Sequence, residues 1–105
     1  MTYADLLSLI RILLPETYDT AVPAGKVRYI VLHRYGANSV YGSNSNVFDF
    51  PRVQIDVYTQ GPEDALPGLV RQILRLWNLP YTVQGESWDD DTALYRTILQ
   101  TEVLE

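Results

Sequence analysis

The chain has 105 residues, of which 47% are hydrophobic and 20% charged, with a formal net charge of −5 at pH 7. These values are typical of a single globular domain, residues 1–105, and argue against a disordered chain. One Lys and seven Arg form no basic run, which argues against binding to phosphate backbones or anionic lipid. The absence of cysteine excludes disulfides, thiolate metal sites and cysteine nucleophiles.

No targeting or membrane segment is evident in the sequence. No apolar run approaches the roughly 20 residues that a membrane-spanning helix needs. The first ten residues, MTYADLLSLI, contain an acid and no basic residue, which argues against a signal peptide. We therefore expect a protein that is made in the cytoplasm and has no membrane partner.

Residues 2–14 are predicted to form a helix with one apolar stripe. Thr2 and Asp5 have the spacing of a capping box, with Asp in place of the usual Glu or Gln. The apolar positions at helical spacing are Leu6, Leu9, Ile10, Leu13 and Leu14. Pro15 ends this helix, and the turn-rich residues 15–25 are predicted to be a connection.

Two predicted strands, joined by a long hairpin loop, follow. Residues 27–35 carry apolar side chains on both faces, which indicates a strand covered on two sides, by the chain itself or by a partner. Residues 36–47, rich in Gly, Ser and Asn, are predicted to be a mobile loop or hairpin tip. A loop of this length is either functional or a tolerated insertion. Residues 48–59 alternate from Val53 onward and form the predicted central strand.

The second half of the chain predicts one helix and two more strands. Pro62 suits a first helical position, although Pro67 and Gly68 predict a late start or a kink. The expected buried face of this helix is Leu66, Leu69, Val70, Ile73, Leu74 and Trp77. Strands follow at about 82–88 and 94–104. The order α-β-β-α-β-β predicts an α+β fold, with two helices on a mainly antiparallel sheet of about four strands.

No group of residues in the sequence carries a signature of catalysis, and we expect no enzyme activity, cofactor or metal. Asp89-Asp90-Asp91 lacks the Gly and distal Glu of a calcium loop, which favours a solvated hairpin turn. His33 is the single histidine and no G-x-S-x-G motif accompanies it, which favours a sheet histidine. No phosphate-binding loop motif is present. Asp56 and Glu86 could form a glycosidase-like carboxylate pair only if the fold brings them together.

Aromatic residues favour an interface over a catalytic site. The chain has eight Tyr and two Trp, and most lie in or beside predicted strands. Tyr, Trp and Arg are enriched at protein interfaces, while the alternative is that these aromatics are ordinary sheet residues. Together with the two-sided strands, they favour oligomerisation.

Two stretches resemble a known family. The run R-V-Q-I-D-V-Y at residues 52–58 precedes a helix with a Leu/Val stripe, and D-T-A-L-Y-R at residues 91–96 leads into the last strand. With the N-terminal helix and the chain length, they resemble the tail-completion or tail-terminator proteins of long-tailed bacteriophages and prophages. The resemblance covers nearly the whole chain.

The resemblance implies a structural virion protein without catalysis. Such proteins form rings, commonly hexamers, that cap the tail tube and join it to the head connector. It implies that genome DNA passes through the ring without specific binding, and an acidic lining would repel DNA. The partners would then be further copies of the chain, the tail-tube protein and the head connector. The expected interface residues are Asn38, Val40, Tyr41, Ser43, Asn44, Arg52 and Arg96.

Other functions stay open at this point. A head-side connector or neck protein of the same particle is close to the tail-terminator interpretation. A small cytoplasmic α+β enzyme or ligand-binding domain is a different class, and a host-directed regulator carried on a mobile element is a third. Arg52 and Arg96 could equally form ion pairs within the chain, with Asp56 or Glu86.

Overall fold

The structure is a computed structural model that describes the backbone of residues 1–41 and 46–103, and the side chains of residues 1–35 and 51–103. The helices are α1 (Tyr3–Leu13) and α2 (Leu66–Leu76). The strands are β1 (Thr17–Asp19), β2 (Tyr29–Tyr41), β3 (Asn46–Thr59), β4 (Tyr81–Asp89) and β5 (Leu94–Glu102). Neither helix is long and apolar enough to cross a membrane.

The strands form one sheet in the order β1-β2-β3-β5-β4, and only the β1–β2 pair is parallel. The predicted α+β class is confirmed, whereas the predicted element order and strand count were wrong, because β1 lies within the expected connection. This strand is three residues long, too short for a periodic pattern. Its pairing rests on contacts with β2, including Ile30 N–H to Glu16 O and Thr20 N–H to Leu32 O, both at 3.0 Å.

Helix α1 forms as predicted. The Thr2 hydroxyl oxygen accepts the Asp5 N–H at 3.1 Å, and the Asp5 carboxylate accepts the Thr2 N–H at 3.2 Å, so the capping box is confirmed. Its apolar stripe is buried through Leu6 and Ile10. The Tyr3 hydroxyl lies 2.5 Å from Asp19 Oδ1 and 3.1 Å from the Leu32 carbonyl oxygen, which fixes the helix to both β1 and β2.

Helix α2 starts late, as Pro67 and Gly68 predicted, so the placement of Pro62 at its first position was wrong. The Leu66 N–H donates to Asp64 Oδ1 at 2.9 Å, and the Arg28 guanidinium holds the same carboxylate at 2.8 and 2.9 Å. The buried stripe is Leu66, Val70 and Leu74. Leu69 and Trp77 were expected to be buried but are 38% and 56% exposed, because one stripe at i, i+4 and i+8 suffices to cover the sheet.

Both helices pack on one face of the sheet, called here the helix face. Val53, Ile55 and Val57 of β3 are fully buried there, as their alternation predicted. The opposite face, called the outer face, carries a smaller cluster of Tyr29, Val31 and Leu94, with Val22 of the β1–β2 connection packed against it. Residues 29–32 of β2 are therefore buried on both faces by other residues of the same chain, as the sequence predicted for this strand.

The predicted loop over 36–47 is instead mostly strand. Strands β2 and β3 remain paired from Gly36 and Arg52 out to Tyr41 and Asn46. Backbone pairing requires no apolar residues, so the polar composition that indicated a loop did not prevent the ladder. Because the β1–β2 pairing ends at Leu32 and β5 pairs with β3 from Arg52 onward, residues 36–41 and 46–51 extend beyond the neighbouring strands. We call this two-stranded extension the distal ribbon.

Candidate interaction surfaces

The distal ribbon contains three of the predicted interface residues, Asn38, Val40 and Tyr41, on its β2 strand. Ser43 and Asn44 lie outside the described residues. At the base of the ribbon the Val103 N–H donates to the Pro51 carbonyl oxygen at 3.1 Å. Since proline has no N–H to return, the β3–β5 ladder ends there. Within the described residues, no third strand pairs with the ribbon.

Strand β4 is an edge strand of the sheet, because among the described strands it pairs with β5 alone. Two of its large apolar side chains, Val83 and Trp88, are 44% and 53% exposed. Exposed, apolar edge strands are a common template for pairing with another chain. Sequence reasoning identified β4 as a strand but not as an edge, since strand order depends on contacts between distant residues.

A cluster of polar side chains on the outer face surrounds the carboxylate of Asp56. Asp56 is buried, and its Oδ2 accepts from Arg96 Nη2 at 2.8 Å. Gln54 Nε2 lies 3.0 Å from Oδ1 and 3.2 Å from Oδ2. His33 Nε2 is 3.7 Å from Oδ2, which places the single histidine in a sheet face, as expected. This cluster joins β2, β3 and β5.

The Asp56–Arg96 ion pair also connects the two stretches that carry the family resemblance. Asp56 belongs to the R-V-Q-I-D-V-Y run in β3, and Arg96 is the last residue of D-T-A-L-Y-R at the start of β5. Arg96 was expected at an interface or in an intramolecular pair, and the structure shows the intramolecular pair. Its side chain remains 31% exposed, so the pairing leaves part of it accessible.

The possible catalytic pair of Asp56 and Glu86 is excluded by the sheet. Glu86 lies opposite Thr97, which is opposite Val57 on the helix face, and it binds Arg71 of α2 at 2.6 Å. Asp56 points to the outer face. The two carboxylates are therefore on opposite sides of the sheet and cannot act on one bond.

The acidic turn between β4 and β5 is held by its own hydrogen bonds. Asp89 Oδ1 accepts the Asp91 N–H at 3.3 Å, and Oδ2 accepts the Thr92 hydroxyl at 3.0 Å. This is the hairpin turn that the sequence predicted. Across the described residues, no three His, Asp or Glu side chains are grouped so as to hold a metal ion.

Some of the aromatic side chains are buried and others are exposed to solvent. Tyr29 and Tyr58 stack at a centroid distance of 4.6 Å, and Arg96 lies 5.7 Å from the Tyr58 ring centre. Burial raises the pKa of both tyrosine hydroxyls above the ordinary value. These two are ordinary sheet residues, whereas Tyr35 and Trp88 are 45% and 53% exposed.

Two open grooves complete the surface. A polar groove of about 530 Å³ lies at the base of the distal ribbon, where Arg52 lines it together with Tyr35, Gln84, Gln100 and Glu102. A more apolar groove of about 590 Å³ lies between α1 and the residues that follow α2. The apolar groove is lined mainly by Met1, Leu9, Ile12, Trp77 and Leu79. Arg52 is thus near the ribbon, as an interface role would need, but its sequence position alone did not indicate a groove.

The chain matches no protein-family model and no curated protein.

Proposed function

We propose that this protein is a structural subunit of a bacteriophage or prophage particle, which forms a ring at the junction of tail and head. In this role it ends the tail tube and joins it to the head connector, without catalysis. Its site of action is the virion, after synthesis in the host cytoplasm. The resemblance of the two stretches in β3 and β5 suggests the family, and the surface geometry supports an assembling subunit.

The observation that carries the proposal is the distal ribbon. Two-stranded ribbons are marginally stable in water by themselves. This one continues beyond both neighbouring strands, and the chain provides no third strand for it among the described residues. A ribbon with two unpaired edges is suited to contact another subunit or the tail tube, which would stabilise it.

A closed ring of identical subunits also needs two different patches on each copy. The ribbon and the edge of β4 are two such patches, since they are formed by different strands. A subunit with only one self-complementary patch would form a dimer instead. The arrangement therefore favours a ring-forming protein over a simple dimer.

The proposal is tested by the mass of the assembly. The purified chain is measured by native mass spectrometry, alone and with the tail-tube protein of the same particle, and electron microscopy locates it on the tubes. We expect closed rings, alone or at tube ends. Val40→Asp in the ribbon should abolish them, while Ile12→Asp, on an 82% exposed helix position, should not. A chain that stays monomeric and never binds the tube would refute the proposal.

The polar groove favours a second candidate, a small α+β ligand-binding domain. Its Arg, Glu, Gln and Tyr side chains could hydrogen-bond to a polar small molecule. Thermal denaturation with a panel of polar metabolites tests this candidate. A saturable rise in melting temperature that Gln100→Ala removes would favour it, provided that the same chain forms no ring.

A further inference from the structure

We infer that neighbouring subunits join by strand pairing, with the free edge of β4 in one copy bound to the β2 edge of the distal ribbon in a second copy. This inference rests on the proposed ring and specifies the contact that would close it. The occupant of the β4 edge is therefore the ribbon of a second copy of this chain.

The first support is the unpaired backbone of β4. Residues of an antiparallel ladder point their N–H and C=O groups alternately to the two sides. Val103 N–H bonds to β3, so odd-numbered residues of β5 face β3 and even-numbered ones face β4. Thr82 is opposite Gln100 and Ser87 is opposite Arg96, so the backbone groups of Thr82 and Ser87 point toward β5. Val83 and Trp88 are the next residues along β4, and their N–H and C=O groups therefore point away from the sheet.

The second support is the match between the two free edges. Among the described residues, strand β1 pairs with β2 at Ile30–Leu32, and no strand pairs with residues 33–41 on that side of β2. These nine positions equal the nine residues of β4. The β2–β3 register shifts at Arg34/Gly36 and at Val40/Tyr41, and the β4–β5 register shifts at Val83/Gly85, so the two edges match in length but not in regularity.

The third support is strand direction. The antiparallel pairs make β2 and β5 run one way, and β3 and β4 run the other way. If the sheet of one copy continues into the next, β4 meets β2 of the neighbour in antiparallel orientation. Antiparallel pairing is the more stable arrangement per residue. A head-to-tail contact of this kind uses different strands on the two copies, as a ring requires.

Two variants test the contact from its two sides. In the edge variant, Val83→Lys and Trp88→Lys place charges on the free edge of β4, which is how natural edge strands avoid pairing. In the ribbon variant, Asn-Gly replaces residues 37–51, since Gly36 and Arg52 are already paired and a two-residue turn can connect them. Ile12→Lys with Leu76→Lys is the matched control, at positions 82% and 79% exposed on the helices.

We expect each variant alone to be a folded monomer by circular dichroism and native mass spectrometry. The control should assemble like the unmodified chain. Mixed together, the edge variant and the ribbon variant should form a 1:1 dimer and nothing larger, because only one functional contact remains between them. Two folded variants that do not combine, or an edge variant that still forms rings, would overturn the inference.

The outcomes separate this inference from the proposed function. If the unmodified chain forms rings on tail tubes but the two variants do not combine, the junction role stands and the β4–β2 contact is wrong. If the variants combine but the unmodified chain never binds a tail tube, the contact stands and the junction role is wrong.

Discussion

Two arginine–carboxylate pairs, one within the sheet and one between α2 and β4, allow a direct test of how burial sets the strength of an ion pair. Arg71 and Glu86 are 2.6 Å apart, with side chains 30% and 45% exposed. Arg96 and Asp56 are 2.8 Å apart, and the Asp56 side chain is only 3% exposed. If distance decided the interaction, the Arg71–Glu86 pair would be the stronger. We expect burial to decide it.

Double-mutant cycles measure both pairs. Arg96→Met, Asp56→Asn and their combination form one cycle, and Arg71→Met, Glu86→Gln and their combination form the other. For Arg96–Asp56 we expect a coupling free energy of about 2 kcal/mol, since a buried carboxylate loses a charge-assisted hydrogen bond. For Arg71–Glu86 we expect about 0.5 kcal/mol, the value of a solvent-screened pair.

The free energy of unfolding is measured by urea denaturation at low protein concentration, so that assembly does not contribute. The two cycles serve as controls for each other, because each removes one guanidinium and one carboxylate. Equal coupling energies, or a larger one for Arg71–Glu86, would refute the reasoning that burial outweighs distance here.

Three further predictions concern the packing of the helices. Tyr3→Phe should lower the free energy of unfolding by about 1–2 kcal/mol, because it removes the hydroxyl that bonds to Asp19 and contacts the Leu32 carbonyl oxygen, as thermal denaturation would show. Leu74→Ala should cost about 3 kcal/mol by opening a cavity in the core, and Leu76→Ala, at a 79% exposed position, less than about 0.5 kcal/mol. Equal effects would contradict the observed orientation of α2. The hydrogen bond from its arginine partner lowers the pKa of Asp64 below the ordinary value of 3.8. Its stabilising effect is therefore complete above that value and is lost as the pH falls through the lower folded-state value, so Asp64→Asn should flatten the acid-side decline in urea stability below about pH 4.

The sequence by itself determined the features that depend on neighbouring residues. The capping box of α1, the late start of α2 and the alternation of Val53, Ile55 and Val57 follow from local spacing, and each is present in the structure. The α+β class follows from the same patterns. These features were predictable because hydrogen bonds and side-chain periodicity within one element depend on residues a few positions apart.

Tertiary structure decided the features on which the candidate interaction surfaces depend. Strand β1 exists through its pairing with β2, and the distal ribbon forms in a stretch whose composition indicated a loop. The strand order places Asp56 and Glu86 on opposite faces of the sheet, and this placement decides which arginine each acid binds. Each of these outcomes depends on contacts between residues far apart in the chain, where a local pattern carries no information about which strands become neighbours and which edges remain unpaired.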